Sequence, residues 1–289
     1  MAEARQKELM SLRAGWPSEG VRPPRLVSVA LGEGTPFSVY QRQQRRWAER
    51  LGIQFEAIAL PEHTGGETLK ARLRALDSDP SVHGILLQHP LPPPLDFFDL
   101  VSGLSPEKDV DGVGSVNLGR LVAGRPLQVP AVARAVFAVL KHYRYSIPGR
   151  RVVVLGRSET VGLPTALLFL LRGEGGDATV TVAHSRTREL SQTTREAELV
   201  VSCAGHPGLL GRQAVRPGAA VVDVGVSTRA DPKAPGGMTV VGDADHADLQ
   251  GYASALTPVP GGIGPVTSVE LMANVLRGWA LGEGLGTLP

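Results

Sequence analysis

Short apolar strand patterns alternate with helical patterns along almost the whole chain, and that alternation admits little besides a layered α/β architecture. Leu26–Leu31 is apolar and breaks at Gly32, and residues 37–51 then carry helical spacing ended by Gly52. Phe55–Leu60 reads as a second strand, residues 67–77 as a helix, and His83–Gln88 as a buried strand halted by Pro90, Pro92, Pro93 and Pro94. A loop at 102–119 precedes an apolar helix at 131–143. A second α/β unit opens with Arg151–Leu155, turns at Gly156, enters a helix near Val161, and continues through strands Thr179–Ala183, Leu199–Ser202 and Ala220–Val224. Residues 268–281 make a last apolar helix. A chain of 289 residues has room for two domains. The pattern places the first at 1–121 joined by 266–289, and the second at 122–265.

Composition removes several function classes. Formal net charge is +2 and no Lys/Arg run marks a nucleic-acid tract. Cys203 is the single cysteine, which excludes an internal disulfide and a multi-cysteine zinc site and suits a reducing, cytoplasmic setting; no metal is expected. The N-terminus lacks an apolar signal core and carries acidic residues against a transit peptide, and no run of 18 apolar residues offers a membrane span.

Residues 257–267, Thr-Pro-Val-Pro-Gly-Gly-Ile-Gly-Pro-Val-Thr, form the most distinctive local segment. Pro258, Pro260 and Pro265 fix φ, while Gly261, Gly262 and Gly264 open conformations closed to other residues. The segment reads as a stiff loop whose bare backbone can press on a planar ligand; a Pro/Gly-rich linker is the alternative.

Residues 151–164, RVVVLGRSETVGLP, combine a buried strand, a glycine turn and a helix start, the context a dinucleotide site needs. The G-x5-G spacing also fits any strand-to-helix turn. The next strand ends in Ala183-His184-Ser185-Arg186, without the carboxylate that binds a ribose 2′-hydroxyl. A hydroxyl and a cation there, with Arg157 nearby, suit a 2′-phosphate and favour NADP over NAD. His184 reads as a hydrogen-bonded structural histidine, with a catalytic base as the alternative.

Taken in order, five segments carry a resemblance over most of the chain. They are Tyr40 on the first helix read from the pattern, Gln88-His89-Pro90-Leu91-Pro92, Lys108-Asp109-Val110-Asp111-Gly112, the turn from Gly156-Arg157-Ser158 to Gly162-Leu163-Pro164, and the 257–267 loop. The sequence resembles the FolD family of bifunctional methylenetetrahydrofolate dehydrogenase/methenyltetrahydrofolate cyclohydrolases. The resemblance implies an N-terminal α/β folate domain, a Rossmann-like NADP-binding domain, a folate cleft between them, and a homodimer. Carried over, Tyr40 would stack on the aminobenzoate ring of the folate, Asp111 would hydrogen-bond the pterin edge, and Gln88 would lie beside the reacting carbon. Pro260, Gly261 and Gly262 would line the cleft. Gly156, Arg157, Ser158, Ser185 and Val226 would contact NADP.

The departures bear on chemistry. The family pattern places a catalytic lysine one helical turn after the tyrosine, and that position is Gln44 here. No lysine lies between Lys7 and Lys70 to take its place, and Arg42, Arg45 and Arg46 lie off the Tyr40–Gln44 line. A serine three residues before the tyrosine is replaced by Phe37, and a Pro-Cys-Thr-Pro segment reads Pro130-Ala131-Val132-Ala133. Hydride transfer needs mainly positioning of two rings. Hydrolysis needs a proton taken from water, which a glutamine amide cannot do. The expectation is a dehydrogenase with weak or absent cyclohydrolase activity. A fully bifunctional enzyme, a non-catalytic folate- or NADP-binding paralogue, and an unrelated Rossmann-type dehydrogenase are the alternatives.

Overall fold

The protein is described from a computed structural model covering residues 1–16, 20–32, 37–173, 175–232 and 237–286, the side chains of 37–40 excepted. It divides into two compact α/β units, one comprising Met1–Ala131 with the segment from Ser268 onward, the other Val132–Thr267.

In the first unit, elements follow in the order α1 (Ala2–Ala14), β1 (Arg25–Leu31), α2 (Phe37–Arg50), β2 (Gln54–Leu60), α3 (Gly66–Ser78), β3 (Gly84–Leu87), α4 (Phe97–Val101) and α5 (Ser115–Val122). The three strands pair in parallel in the order β2-β1-β3. Side chains of β1 alternate between two cores, as strand geometry requires. Leu26 joins Leu51, Met272, Leu276 and Trp279 on one face, and Val27, Val29 and Leu31 join Leu69, Leu73 and Ile85 on the other.

The segment expected as loop at 102–119 contains the start of α5, and α4 precedes it. Neither helix is long enough to give a periodic signal. Asp96 caps α4 by accepting the Asp99 amide at 2.9 Å. Helix α1, which carries no strong apolar pattern, docks through fully buried Leu9 and through Arg5, bonded at 2.7 Å to buried Glu270.

The second unit holds α6 (Ala131–His142, whose first residue closes the first unit), β4 (Arg151–Leu155), α7 (Gly162–Leu170), β5 (Thr179–Ala183), α8 (Leu190–Arg195), β6 (Leu199–Ser202), β7 (Ala220–Asp223), β8 (Ser227–Ala230), β9 (Met238–Val241), α9 (His246–Leu249) and β10 (Ala255–Leu256). Five strands form a parallel sheet ordered β10-β7-β6-β4-β5, and β8 and β9 make a separate antiparallel pair. From β4 the chain moves outward to β5, then returns across β4 to β6. That reversal leaves a crevice at the carboxyl ends of β4 and β6.

The final helix, α10, spans Ile263–Gly282 and starts earlier than the expected residue 268. Its first turn absorbs Pro265, tolerated there because an N-terminal N–H has no intrahelical partner anyway. The first change of unit also lies later than expected, at 131/132 rather than 121/122. Buried side chains hold the intervening stretch. Asn274 donates to Val110 O at 2.8 Å and Val129 O at 2.9 Å, and Gln128 donates to Glu107 O and Asn274 O at 3.0 Å.

Candidate functional site

The first unit brings two expected residues, Gln44 and Gln88, into contact beside its central strand. Helix α2 buries Trp47, Ala48 and Leu51 in the core, which fixes its rotation. Gln44 is half-buried, and its Oε1 accepts the Gln88 Nε2 hydrogen at 3.1 Å. Gln88 follows β3 directly, is buried, and is anchored by its own amide to Val29 O at 2.8 Å. Its Nε2 also donates to Ser28 at 3.0 Å. Residue 44 therefore touches Gln88, and the contact is between two neutral amides. Tyr40 lies on α2 one turn earlier, but its side chain, with those of Phe37 and Ser38, falls outside the described residues. Arg45 is not a replacement cation, since its guanidinium lies 4.9 Å from the Phe55 ring centroid.

The KDVDG motif splits into scaffold and free group. Lys108 donates to the carbonyls of Asp77 and Asp79. Asp109 is buried and accepts from Gly112 N at 3.0 Å, Gly114 N at 2.8 Å and Asn117 Nδ2 at 2.8 Å. Asp111 has no hydrogen-bond partner among the described residues. Desolvation, with the neighbouring Asp109 charge, pushes its carboxyl up to about 7. A desolvated carboxyl without donors is poised to accept them from a ligand.

In the second unit the sheet brings Gly156, Arg157 and Ser158 after β4, Ser185 after β5 and Val226 after β7 to one carboxyl edge. Arg157, Ser158, Ser185 and Val226 are exposed there. The glycines of G-x5-G serve packing. A Cβ on Gly156, which has φ of +124°, would lie 2.6 Å from Cys203 O, and one on Gly162 would lie 2.3 Å from Gly156 O.

The start of α7 does not offer the free amides expected of it. Gly162 N donates to Ser158 Oγ at 3.3 Å, Leu163 N to Ser158 O at 3.0 Å, and Pro164 has no N–H. Among the described residues the amides of Arg157, Ser158, Glu159 and Thr160 have no acceptor, so an anion held there would meet the loop ahead of the helix. His184 is held in a turn, its Nδ1 accepting the Arg186 amide at 3.1 Å.

Two acidic residues not singled out by sequence organise this edge. Asp243 accepts Ser202 Oγ at 2.6 Å, Ala204 N at 2.8 Å, Gly205 N at 3.3 Å and His206 N at 2.7 Å. Asp223 accepts Gly225 N at 3.0 Å, Asp243 N at 3.1 Å and Ala244 N at 2.8 Å. An acid ending an otherwise apolar strand, as in Ala220–Asp223, was the available signal. The 257–267 loop starts from the same edge, with Thr257 Oγ1 accepting Asp223 N at 2.8 Å. Gly261 has φ of +100°, and a Cβ on Gly262 would lie 2.3 Å from Pro258 O. Pro260, directly before Gly261, is exposed.

Comparison with known proteins decides the family. The model described as "Tetrahydrofolate dehydrogenase/cyclohydrolase, catalytic domain" matches residues 1–111, and the corresponding NAD(P)-binding domain model matches residues 130–281. The chain belongs to the tetrahydrofolate dehydrogenase/cyclohydrolase family. A relative named bifunctional protein FolD from Roseiflexus castenholzii is 43% identical over 288 residues, covering 99% of this chain and 96% of the relative. The crystal structure of the Trypanosoma brucei family member, complexed with NADP and an inhibitor, superposes with a TM-score of 0.88 at 37% identity, covering 97% of this chain and 95% of that one. A methylenetetrahydrofolate dehydrogenase from Bombyx mori superposes with a TM-score of 0.89 at 36% identity, over 97% and 95% of the two chains. No described helix of this family member is long and apolar enough to cross a membrane.

Proposed function

We propose that this family member is an NADP-dependent methylenetetrahydrofolate dehydrogenase whose cyclohydrolase step is weak or lost. The observation that carries the second half is Gln44, a neutral amide bonded to Gln88 at the position of the family's catalytic lysine. NADP, when bound, supplies the hydride acceptor. The residues at the carboxyl edge of the second unit fit it. The undonated amides of 157–160 suit phosphate oxygens, and Arg157 and Ser185 meet a 2′-phosphate with no carboxylate at the end of β5 to repel it.

The chain's own residues then position the folate. Asp111 accepts hydrogen bonds from the pterin edge, Tyr40 stacks on the aminobenzoate ring, and Gln88 and Gln44 offer neutral hydrogen-bonding groups beside the reacting carbon. Pro260, Gly261 and Gly262 give a bare backbone surface. Hydride transfer is served by orientation alone. Hydrolysis of the methenyl product needs water to lose a proton, and an amide takes none. The same reading makes the protein a cytoplasmic homodimer with a small-molecule folate substrate.

A fully bifunctional enzyme is the second reading. It is favoured by the 43% identical relative named bifunctional, and by Asp111, a group titrating near neutrality in the same unit as Gln44. Spectroscopic assay of both half-reactions on one purified sample separates the two. We expect NADP-dependent oxidation of methylenetetrahydrofolate, with methenyltetrahydrofolate decaying at its spontaneous rate. Enzyme-dependent decay at a rate comparable to oxidation would establish the second reading instead.

A further inference from the structure

Strand β1 reads Arg-Leu-Val-Ser-Val-Ala-Leu, and Ser28 is the one polar side chain between Leu26 and Leu31. It is fully buried in the central strand of its sheet, on the face shared with Leu26. A hydroxyl in that position is unfavourable unless it is bonded. Ser28 Oγ accepts two amide hydrogens, from Gln41 Nε2 at 3.1 Å and from Gln88 Nε2 at 3.0 Å. Gln88 gives its other Nε2 hydrogen to Gln44 Oε1 at 3.1 Å. Three elements thus contribute to one row, Gln41–Ser28–Gln88–Gln44. With both amide hydrogens of Gln88 engaged, what remains of the pair is the Gln88 carbonyl oxygen, an acceptor, and the Gln44 amide nitrogen, a donor.

We infer that Ser28 is a positioning residue, holding Gln88 and through it Gln44 so that this donor–acceptor pair meets the folate in one orientation. The inference rests on reading Gln44 and Gln88 as substrate-facing. A free glutamine amide presents either edge after a half-turn about its last bond, and the two edges differ in hydrogen-bond polarity. Partners on two sides remove that freedom. A lysine at position 44 would require the opposite polarity, because an ammonium group has no acceptor and Gln88 would have to turn its oxygen toward it. Ser28 can follow that turn, donating its hydroxyl hydrogen to Gln88 while still accepting from Gln41. The hydroxyl at 28 therefore serves whichever edge of Gln88 residue 44 selects, and an apolar side chain there serves neither.

Ser28→Thr and Ser28→Val make the test, since the two have the same shape and differ in the hydroxyl. Methylenetetrahydrofolate oxidation is measured for both, alone and combined with Gln88→Ala. The valine variant is expected to lose about tenfold to 10²-fold in kcat relative to threonine, the scale of a misplaced reacting group, with KM for NADP unchanged. In the Gln88→Ala background the two should be equal. Equal kcat in the Gln88 background of the native chain, or the same ratio in both backgrounds, overturns the assignment.

Side-chain amide NMR gives a readout that needs no turnover. The Gln88 amide hydrogens should shift and exchange faster in the valine variant than in the threonine one, and identical Gln88 signals would overturn the assignment. If the native chain oxidises no methylenetetrahydrofolate, the functional reading fails, and the NMR comparison still decides whether Ser28 holds Gln88.

Discussion

The acidic residues at the two candidate sites are held in different ways. In the second unit, Asp243 and Asp223 collect hydrogen bonds from Ser202 and from backbone amides of the loops that follow β6, β7 and β9. Those carboxylates are satisfied within the fold and shape loops that would hold a cofactor. In the first unit, Asp111 has no donor, although Asp109, two residues away in the same motif, has three. A satisfied buried carboxylate is scaffold. A carboxylate without donors, as Asp111 is among the described residues, retains the capacity to accept hydrogen bonds and to titrate, which is what the proposed folate contact requires.

The largest expected effect breaks the neutrality of the first unit. Gln44→Lys introduces a titratable group next to Gln88, and methenyltetrahydrofolate decay above the spontaneous rate should rise by up to about 10²–10⁴-fold. The gain should fall short of that range if the sequence around Phe37 and 130–133 fails to orient the lysine. Robust hydrolysis by the native chain, unchanged by the lysine, would show that residue 44 is not limiting.

Next in size is a test of scaffold against free group. Asp243→Asn would turn an amide NH2 toward some of the four donors now facing a carboxylate, a loss of about 1–3 kcal/mol. For a domain of this size that is a fall of about 5 °C in Tm, read by thermal denaturation. Asp111→Ala removes a desolvated carboxyl with no partner, so Tm should hold or rise. The same sign for both variants would erase the distinction between the two carboxylates.

The strands were legible because buried parallel strands read as short apolar runs. Arg151–Leu155, Thr179–Ala183 and Leu199–Ser202 have in the structure the bounds their composition gives. The short helices α4 and α5 were not legible, since their stability comes from capping and tertiary packing and not from periodicity. The start of α7 misled for a local reason: Ser158 had already taken its amides. For the proposed site, the motifs singled out Gln44, Gln88 and Asp111. They could not show that Lys108 and Asp109 hold the loop while Asp111 is left free, because that division depends on donors from Asn117 and on the turn itself. Ser28 carried only a weak signal, one hydroxyl in an apolar strand.

Asp111 also predicts a pH dependence. Carboxylate is the form that accepts pterin donors, and burial has raised its titration to about 7. The folate KM should therefore fall as pH rises from 6 to 8, and Asp111→Ala should raise KM by about tenfold to 10²-fold and flatten the profile. Stability runs the other way. The folded chain keeps a proton that the unfolded chain, with an ordinary aspartate, has released, so this group's contribution is full below about 4 and declines as pH rises toward 7. A KM that is independent of pH in the native chain would place Asp111 away from the folate.

The smallest expected effect tests the second unit at its exposed rim. Arg157 stands directly after the Gly156 turn, is exposed, and has no ion-pair partner among the described residues. If it meets the 2′-phosphate of NADP, Arg157→Ala removes a charge-assisted hydrogen bond that solvent and salt already weaken, so the loss should lie near the low end of about 1.5–3 kcal/mol. That is about a tenfold rise in KM for NADP, with KM for NAD unchanged because NAD lacks that phosphate. The folate KM, set in the first unit, should not move. Salt sharpens the result: raising ionic strength should weaken NADP binding by the native chain more than by the variant. Equal losses for NADP and NAD would mean that Arg157 shapes the turn instead of reading the phosphate, and Ser185 with Arg186 would then be the pair to substitute.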